Sequence, residues 1–216
     1  MQDHGPVSAA EPTRDIVVLV HGVWMSGLDM SLLKHRLVAC GFEVRIFTYP
    51  TIRSTLKENA LRLQHFLQRL DAGRIHFVAH SLGGLLVRQL FHDFPQQKPG
   101  RVVTLGTPHG GSSVARRMGG SPYGKWLLGK SFKQGLRGDV PPWTGARKLL
   151  VIAGTVSMGV GRLVARLARP NDGTVAVKET RLDSADAHLE LPVTHMGMLF
   201  STQVARAVCD YLHAVE

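Results

Sequence analysis

The run Ala79-His80-Ser81-Leu82-Gly83-Gly84 holds residue types that nucleophilic chemistry needs, at a spacing that suits it. A strand-like stretch, residues 74–79 (RIHFVA), leads into Ser81, and a helical pattern over residues 82–91 leaves directly after it. A serine on so tight a strand–turn–helix stands exposed at the carboxyl end of its strand, beside the free N–H groups and positive dipole end of the next helix. The bend needs small residues two before and two after the serine, so that the two backbones can approach. Here they are Ala79 and Gly83; glycine is the common residue at both places, so Ala79 is a departure, to the next smallest side chain. The plainer reading is that Ser81 caps the helix, a frequent job for a serine in that position. As a nucleophile a serine hydroxyl is weak at neutral pH, and it needs a base within hydrogen-bond reach and a carboxylate to orient that base.

These groups must be carried by elements that the patterning makes visible. Residues 16–20 (IVVLV) form a near-continuous apolar run of strand length, as in a strand covered on both faces. Residues 43–49, 74–79, 101–105 and 148–153 read as further strands, with a short sixth over Ala187–Leu191. Thr55 opens a helix, with Glu58 three residues on completing a capping box. Its apolar stripe, Leu56, Ala60, Leu63, Leu67 and Leu70, marks one buried face, and Asp71-Ala72-Gly73 ends it. A last helix, 200–213, sets Phe200, Val204, Ala207, Val208 and Tyr211 on one side. Alternation of strands and helices at this spacing predicts a mostly parallel sheet of about six strands with helices on both faces. One domain over residues 1–216 is the simplest account, with a flexible tail at 1–14.

Composition narrows the class. The chain has 216 residues, 44% hydrophobic and 19% charged, which excludes a disordered chain and needs no metal or disulfide staple. Twenty-six basic against 16 acidic residues give a net charge of +10, a bias toward anions of any kind. No zinc-finger, RRM or basic-zipper pattern accompanies it, so no specific nucleic acid is expected. No apolar run is long enough to span a bilayer. The first residues lack the features of an ordinary secretory signal, which points to a cytoplasmic protein, peripheral at the inner membrane face. Cys40 and Cys209 fall on predicted helices; buried free thiols are the favoured reading, with a single disulfide left open.

Four segments together resemble α/β-hydrolases of the small lipase/esterase type: Val20-His21-Gly22-Val23-Trp24, the Ser81 bend, Gly106-Thr107-Pro108-His109-Gly110-Gly111-Ser112, and Asn171-Asp172-Gly173-Thr174-Val175. The resemblance implies that fold, hydrolysis of carboxylic esters, lipid-like acyl esters among them, and no cofactor or metal. It also implies the chain order serine, acid, histidine. Of eleven histidines, His188, His195 and His213 then remain, and His195, in the loop between the last strand and the last helix, is favoured over His188. Asp172 is the favoured acid; a bland Asn-Asp-Gly turn is its other reading, and Asp183 and Asp186 are the fallbacks. By the same resemblance the backbone N–H groups of Val23 and Leu82 form the oxyanion hole. Trp24 and Met25 are expected to face the substrate or to brace the hole, and His109 and Trp126 are further expected substrate contacts. The same residues would serve a thioesterase or an acyltransferase, and a non-catalytic basic domain that binds membrane or nucleic acid is the competing class.

Two stretches break the alternation. Residues 110–145 show no strand pattern, many glycines, the cations Arg116, Arg117, Lys125, Lys130, Lys133 and Arg137, and the apolar Tyr123, Trp126, Leu127, Leu128, Phe132 and Trp143. A connection this long is expected to be a lid or cap over the site, facing an anionic lipid-like surface, or else a solvated basic loop. Residues 157–169 read as a small basic amphipathic helix.

Overall fold

A computed structural model describes residues 14–130, 135–136, 138–143, 147–159 and 167–214, without the side chains of Lys125 and Leu127. The expected tail, most of the basic insert at 157–169, and Phe132, Lys133 and Arg137 lie outside the described residues.

Six strands, β1 (Asp15–Val20), β2 (Glu43–Phe47), β3 (Arg74–His80), β4 (Val102–Leu105), β5 (Leu149–Gly154) and β6 (Ala187–Leu191), form one sheet in the order β2-β1-β3-β4-β5-β6. Every pairing is parallel. Successive side chains of a strand point to opposite faces, and the core divides accordingly. Ile16, Val18 and Val20 pack with helices α2 (Leu56–Gln68) and α3 (Leu82–Asp93). Val17 and Leu19 pack on the other face with α1 (Ser31–Ala39) and the last helix, α7 (Thr202–His213). The chain leaves β1 toward β2 and then crosses to β3 on β1's other side, so the switch point lies between β1 and β3. Crevices at such points, outside the carboxyl ends of the strands, are where open α/β sheets bind ligands.

Several expectations hold in detail. The Thr55–Glu58 capping box opens α2, and Leu56, Ala60, Leu63 and Leu67 are buried along it. Others shift. Strand β2 stops at Phe47 because Tyr49 turns inward, stacks on His21 at 4.6 Å and donates its hydroxyl to the His21 carbonyl. Phe200 does not join the buried stripe of α7: that helix is capped by Ser201, and Phe200 precedes it, half exposed. The cysteines are not free thiols. Cys40, at the end of α1, forms a disulfide with Cys209 of α7; two cysteines 169 residues apart meet because both helices cover the same face of the sheet.

The 110–145 stretch contains α4 (Ser113–Met118) and α5 (Pro122–Leu128). It is tied down on its inner side. Leu128, Leu136 and Trp143 belong to the core, with Trp143 edge-on to Phe91 of α3. The Arg88 guanidinium, buried on α3, donates to the carbonyls of Pro141 and His109. Trp143 is therefore a core anchor and not part of an overhanging cover. Tyr123 and Trp126 stand outside, 71% and 74% exposed. The short α6 (Val177–Thr180) follows in the β5–β6 connection.

Candidate active site

Ser81 occupies the residue between β3 and α3 with φ 53° and ψ −120°. A non-glycine residue at positive φ is strained. The strain is held in place: Ser81 N–H donates to the Leu105 carbonyl, and its own carbonyl accepts from the Thr107 hydroxyl. Its side chain makes no capping bond to α3, which removes the plain helix-cap reading. The small neighbours do what the sequence required of them. A Cβ at residue 83 would stand 2.4 Å from the Val20 carbonyl oxygen, so α3 could not start this close to β1 with any larger residue. Ala79 is wholly buried.

His195 and Asp172 meet at the same sheet edge. Gly154 ends β5, and a Cβ on it would touch the Asp172 side chain; His195 follows β6. His195 Nδ1 lies 2.7 Å from Asp172 Oδ2, with both residues buried. A carboxylate only accepts, so Nδ1 carries the hydrogen and Nε2 keeps its lone pair. The other oxygen, Oδ1, accepts the backbone N–H groups of Thr174 and Val175, and the His195 N–H donates to the Asp172 carbonyl. The turn reading of Asn171-Asp172-Gly173 and the orienting reading are thus one structure: the turn aims the carboxylate. Gly106, at the end of β4, leaves room for the pair, since a Cβ there would meet the His195 ring at 2.9 Å.

The fallback residues sit elsewhere. Asp186 receives the Leu149 N–H at the opposite, amino end of β5, and His188 pairs with the Thr180 hydroxyl.

His80, which chain order had set aside, links Ser81's segment to His195. Its ring packs 4.7 Å from the His195 ring, and its Nε2 donates to the His195 carbonyl at 3.1 Å. Burial pushes its pKa down to about 3, so it is a neutral brace. Strand patterning could not reveal it, because its partner arrives from 115 residues downstream. Among the described residues no hydrogen bond joins the Ser81 hydroxyl to His195.

Val23 and Leu82 flank the switch point. Leu82 is the first residue of α3, where a helix leaves N–H groups unpaired. The 21–25 loop is pinned by Tyr49 and by the Met25 thioether, which accepts the Gly22 N–H. Met25 thus braces the loop and does not line the cavity beside Ser81. That cavity, about 60 Å³, is lined by Val23, Trp24, Ser81, Met118, Leu128 and Leu136, among others. His109 is not among its walls: it is buried between Arg88 and Thr104, its pKa lowered to about 3 by burial. Trp126 points to solvent and does not line it either. Among the described residues no three His, Cys, Asp or Glu side chains converge as metal ligands.

Known proteins share this architecture. The mature lipase BlEst2 of Bacillus licheniformis superposes with a TM-score of 0.75 at 20% identity, over 98% of this chain and 96% of its own. The pyrethroid hydrolase PytH gives 0.66 at 14%, over 94% and 98%. A metagenomic carboxyl esterase, MGS0156, gives 0.62 at 17%, over 88% and 69%. At these identities the likeness is one of fold, and the fold is that of the α/β-hydrolases. No curated protein matches the chain. Residues 2–120, more than half of the 216, match one protein family, so the chain belongs to the family described as a domain of unknown function, DUF7379.

Proposed function

We propose that this protein is a serine hydrolase of carboxylic esters. Ser81 attacks the ester carbonyl while His195 Nε2 takes its proton, and the oxygen that becomes negative is received by the N–H groups of Val23 and Leu82. His195 then protonates the leaving alcohol, and water hydrolyses the acyl-serine by the same steps in reverse order. Asp172 holds the imidazole in the required tautomer and stabilises its charged form. The observation that carries the reading is the 2.7 Å Asp172–His195 pair on the sheet edge where Ser81 is held at φ 53°. The test is hydrolysis of nitrophenyl esters and of a matched thioester by the parent chain, Ser81→Ala and His195→Ala. Loss of ester hydrolysis in both variants supports the proposal, and equal activity in parent and Ser81→Ala rejects it.

The partner this edge suits is an anionic lipid surface. Trp24, Leu28, Tyr123, Trp126, Met158, Met196 and Phe200 are exposed large apolar residues, and all lie in segments that follow the carboxyl ends of strands. Arg116, Arg117 and Lys130 stand exposed among them. Aromatic and basic residues together are the composition of interfacial anchors. No described helix is long and apolar enough to cross a membrane. The disulfide suits an oxidising compartment better than the cytoplasm that the sequence suggested.

A further inference from the structure

We infer that Thr51, in the turn between β2 and α2, is a positioning residue for the oxyanion hole: its hydroxyl holds the strained Trp24 backbone and thereby keeps the Val23 N–H beside Ser81. The inference rests on the proposed triad and concerns what keeps its oxyanion donors in place. The loop after β1 runs against the nucleophile: a Cβ on Gly22 would stand 3.1 Å from the Ser81 Cβ, and Val23 lines the cavity together with Ser81. This loop brings three successive N–H groups to the site. The Gly22 N–H donates to the Met25 thioether at 3.3 Å, and the Trp24 N–H donates to the Thr51 hydroxyl oxygen at 3.2 Å. Between them, the Val23 N–H has no partner among the described residues. A donor left open between two that are tied down is the fixed arrangement that a developing negative oxygen needs.

Trp24 stands at φ 58°, and it and Ser81 are the two non-glycine residues at positive φ among the described residues. A residue with a side chain keeps that conformation only where its surroundings hold it. Thr51 is itself fixed. It is buried, and the buried Asn59 of α2 donates its side-chain N–H to the carbonyl of the preceding Pro50 at 3.2 Å. Tyr49 donates its hydroxyl to the His21 carbonyl at 2.8 Å and its N–H to His21 Nε2 at 3.4 Å. His21 therefore carries its own hydrogen on Nδ1 and donates it to the Gly22 carbonyl at 2.9 Å. Residues 49–51 thus grip the oxyanion loop at both ends, at His21 and at Trp24, and α2 backs them. Without the Thr51 oxygen the Trp24 N–H loses this acceptor, Trp24 can return to negative φ, and the Val23–Trp24 peptide turns with it.

The test is kcat and KM on nitrophenyl acetate for the parent, Thr51→Val and Thr51→Ser, with urea unfolding of each. Valine keeps the shape and drops the acceptor; serine keeps the acceptor. A displacement of about 1 Å in a catalytic group costs on the order of 10²-fold. Thr51→Val should therefore lower kcat at least tenfold with KM within about threefold, and Thr51→Ser should restore kcat to within about threefold of the parent. Phenylboronic acid forms a tetrahedral adduct on a serine that puts an oxygen in the oxyanion hole. It should bind Thr51→Val at least tenfold more weakly than the parent, a change that loosened packing away from the site would not produce. A folded Thr51→Val whose kcat falls less than tenfold, or a Thr51→Ser as impaired as Thr51→Val, overturns the inference. If Thr51→Val does not fold, Thr51→Ala carries the same test, and failure of both to fold makes Thr51 a residue of the fold and overturns the inference too. Ser81 labelling of the parent by a small fluorophosphonate, run in parallel, separates the outcomes. If labelling succeeds and Thr51→Val keeps its kcat, only the role of Thr51 fails; if Ser81 is not labelled, the triad itself fails.

Discussion

Replacing Asp172 by asparagine should abolish turnover while leaving the fold intact, and the structure says why. Oδ1 accepts two backbone N–H groups, from Thr174 at 2.9 Å and Val175 at 2.7 Å, and Oδ2 accepts the His195 Nδ1–H at 2.7 Å. An asparagine offers one oxygen and one NH2. Turned so that the NH2 faces Thr174 and Val175, it would leave two buried donors unpaired, at about 1–3 kcal/mol each. The oxygen therefore stays on the turn and the NH2 faces His195. The imidazole can pair with that donor only through a bare Nδ1, so its hydrogen moves to Nε2, and Nε2 can no longer take the proton from Ser81. A wrong tautomer of this kind lowers kcat by about 10⁴, or about 5.4 kcal/mol of barrier. The lost charge-assisted bond costs only about 1.5–3 kcal/mol of stability. The assay is nitrophenyl acetate hydrolysis at pH 7.5 alongside thermal unfolding of Asp172→Asn. A folded variant within tenfold of the parent kcat would show that the Asp172 carboxylate does not set the His195 tautomer.

Three further outcomes follow from other parts of the molecule. His80 and His109 are held near pKa 3 and His76 near 4, each chiefly by burial. Below about pH 6.5 the unfolded chain binds protons there that the folded one refuses, so stability falls as pH drops from 6.5 toward 4. The slope is about 1.4 kcal/mol per pH unit for each histidine, and urea midpoints at pH 7, 6 and 5 that do not fall would contradict it. Cys209→Ser, or reduction, releases a loop closed over 169 residues and should cost up to about 5 kcal/mol of stability, read as a lower urea midpoint that the oxidised parent does not show. Tyr123→Ala with Trp126→Ala should weaken binding to vesicles of anionic phospholipid at least tenfold in a sedimentation assay, and equal binding by parent and double variant would remove the rim as an anchor.

What could be read in the sequence was what local pattern controls. Apolar runs of strand length gave the central strands, which are buried on both faces, and the stripe of α2 gave a helix with one buried face; the edge strands β2 and β6 are only partly buried. Ser81 and Gly83 were legible since the bend's requirements lie within five residues. The features that stayed hidden are made by contacts between distant segments. His80 gains its role from a carbonyl 115 residues away, and Cys40 and Cys209 pair only because two helices cover one face. His109 has the composition of a loop contact, yet buried Arg88 draws it inward. Trp143 is likewise indistinguishable in sequence from exposed Trp126 until Phe91 is placed beneath it.

In the proposed mechanism, folding makes the Ser81 hydroxyl nucleophilic by setting His195 beside it. Intact-mass analysis after brief exposure to a small fluorophosphonate reads this directly. One adduct is expected on the native parent, mapped to the peptide bearing Ser81, none on Ser81→Ala or on urea-unfolded parent, and labelling at least a hundredfold slower in His195→Ala. A native parent that stays unmodified, or one whose adduct maps to a different serine, would contradict it.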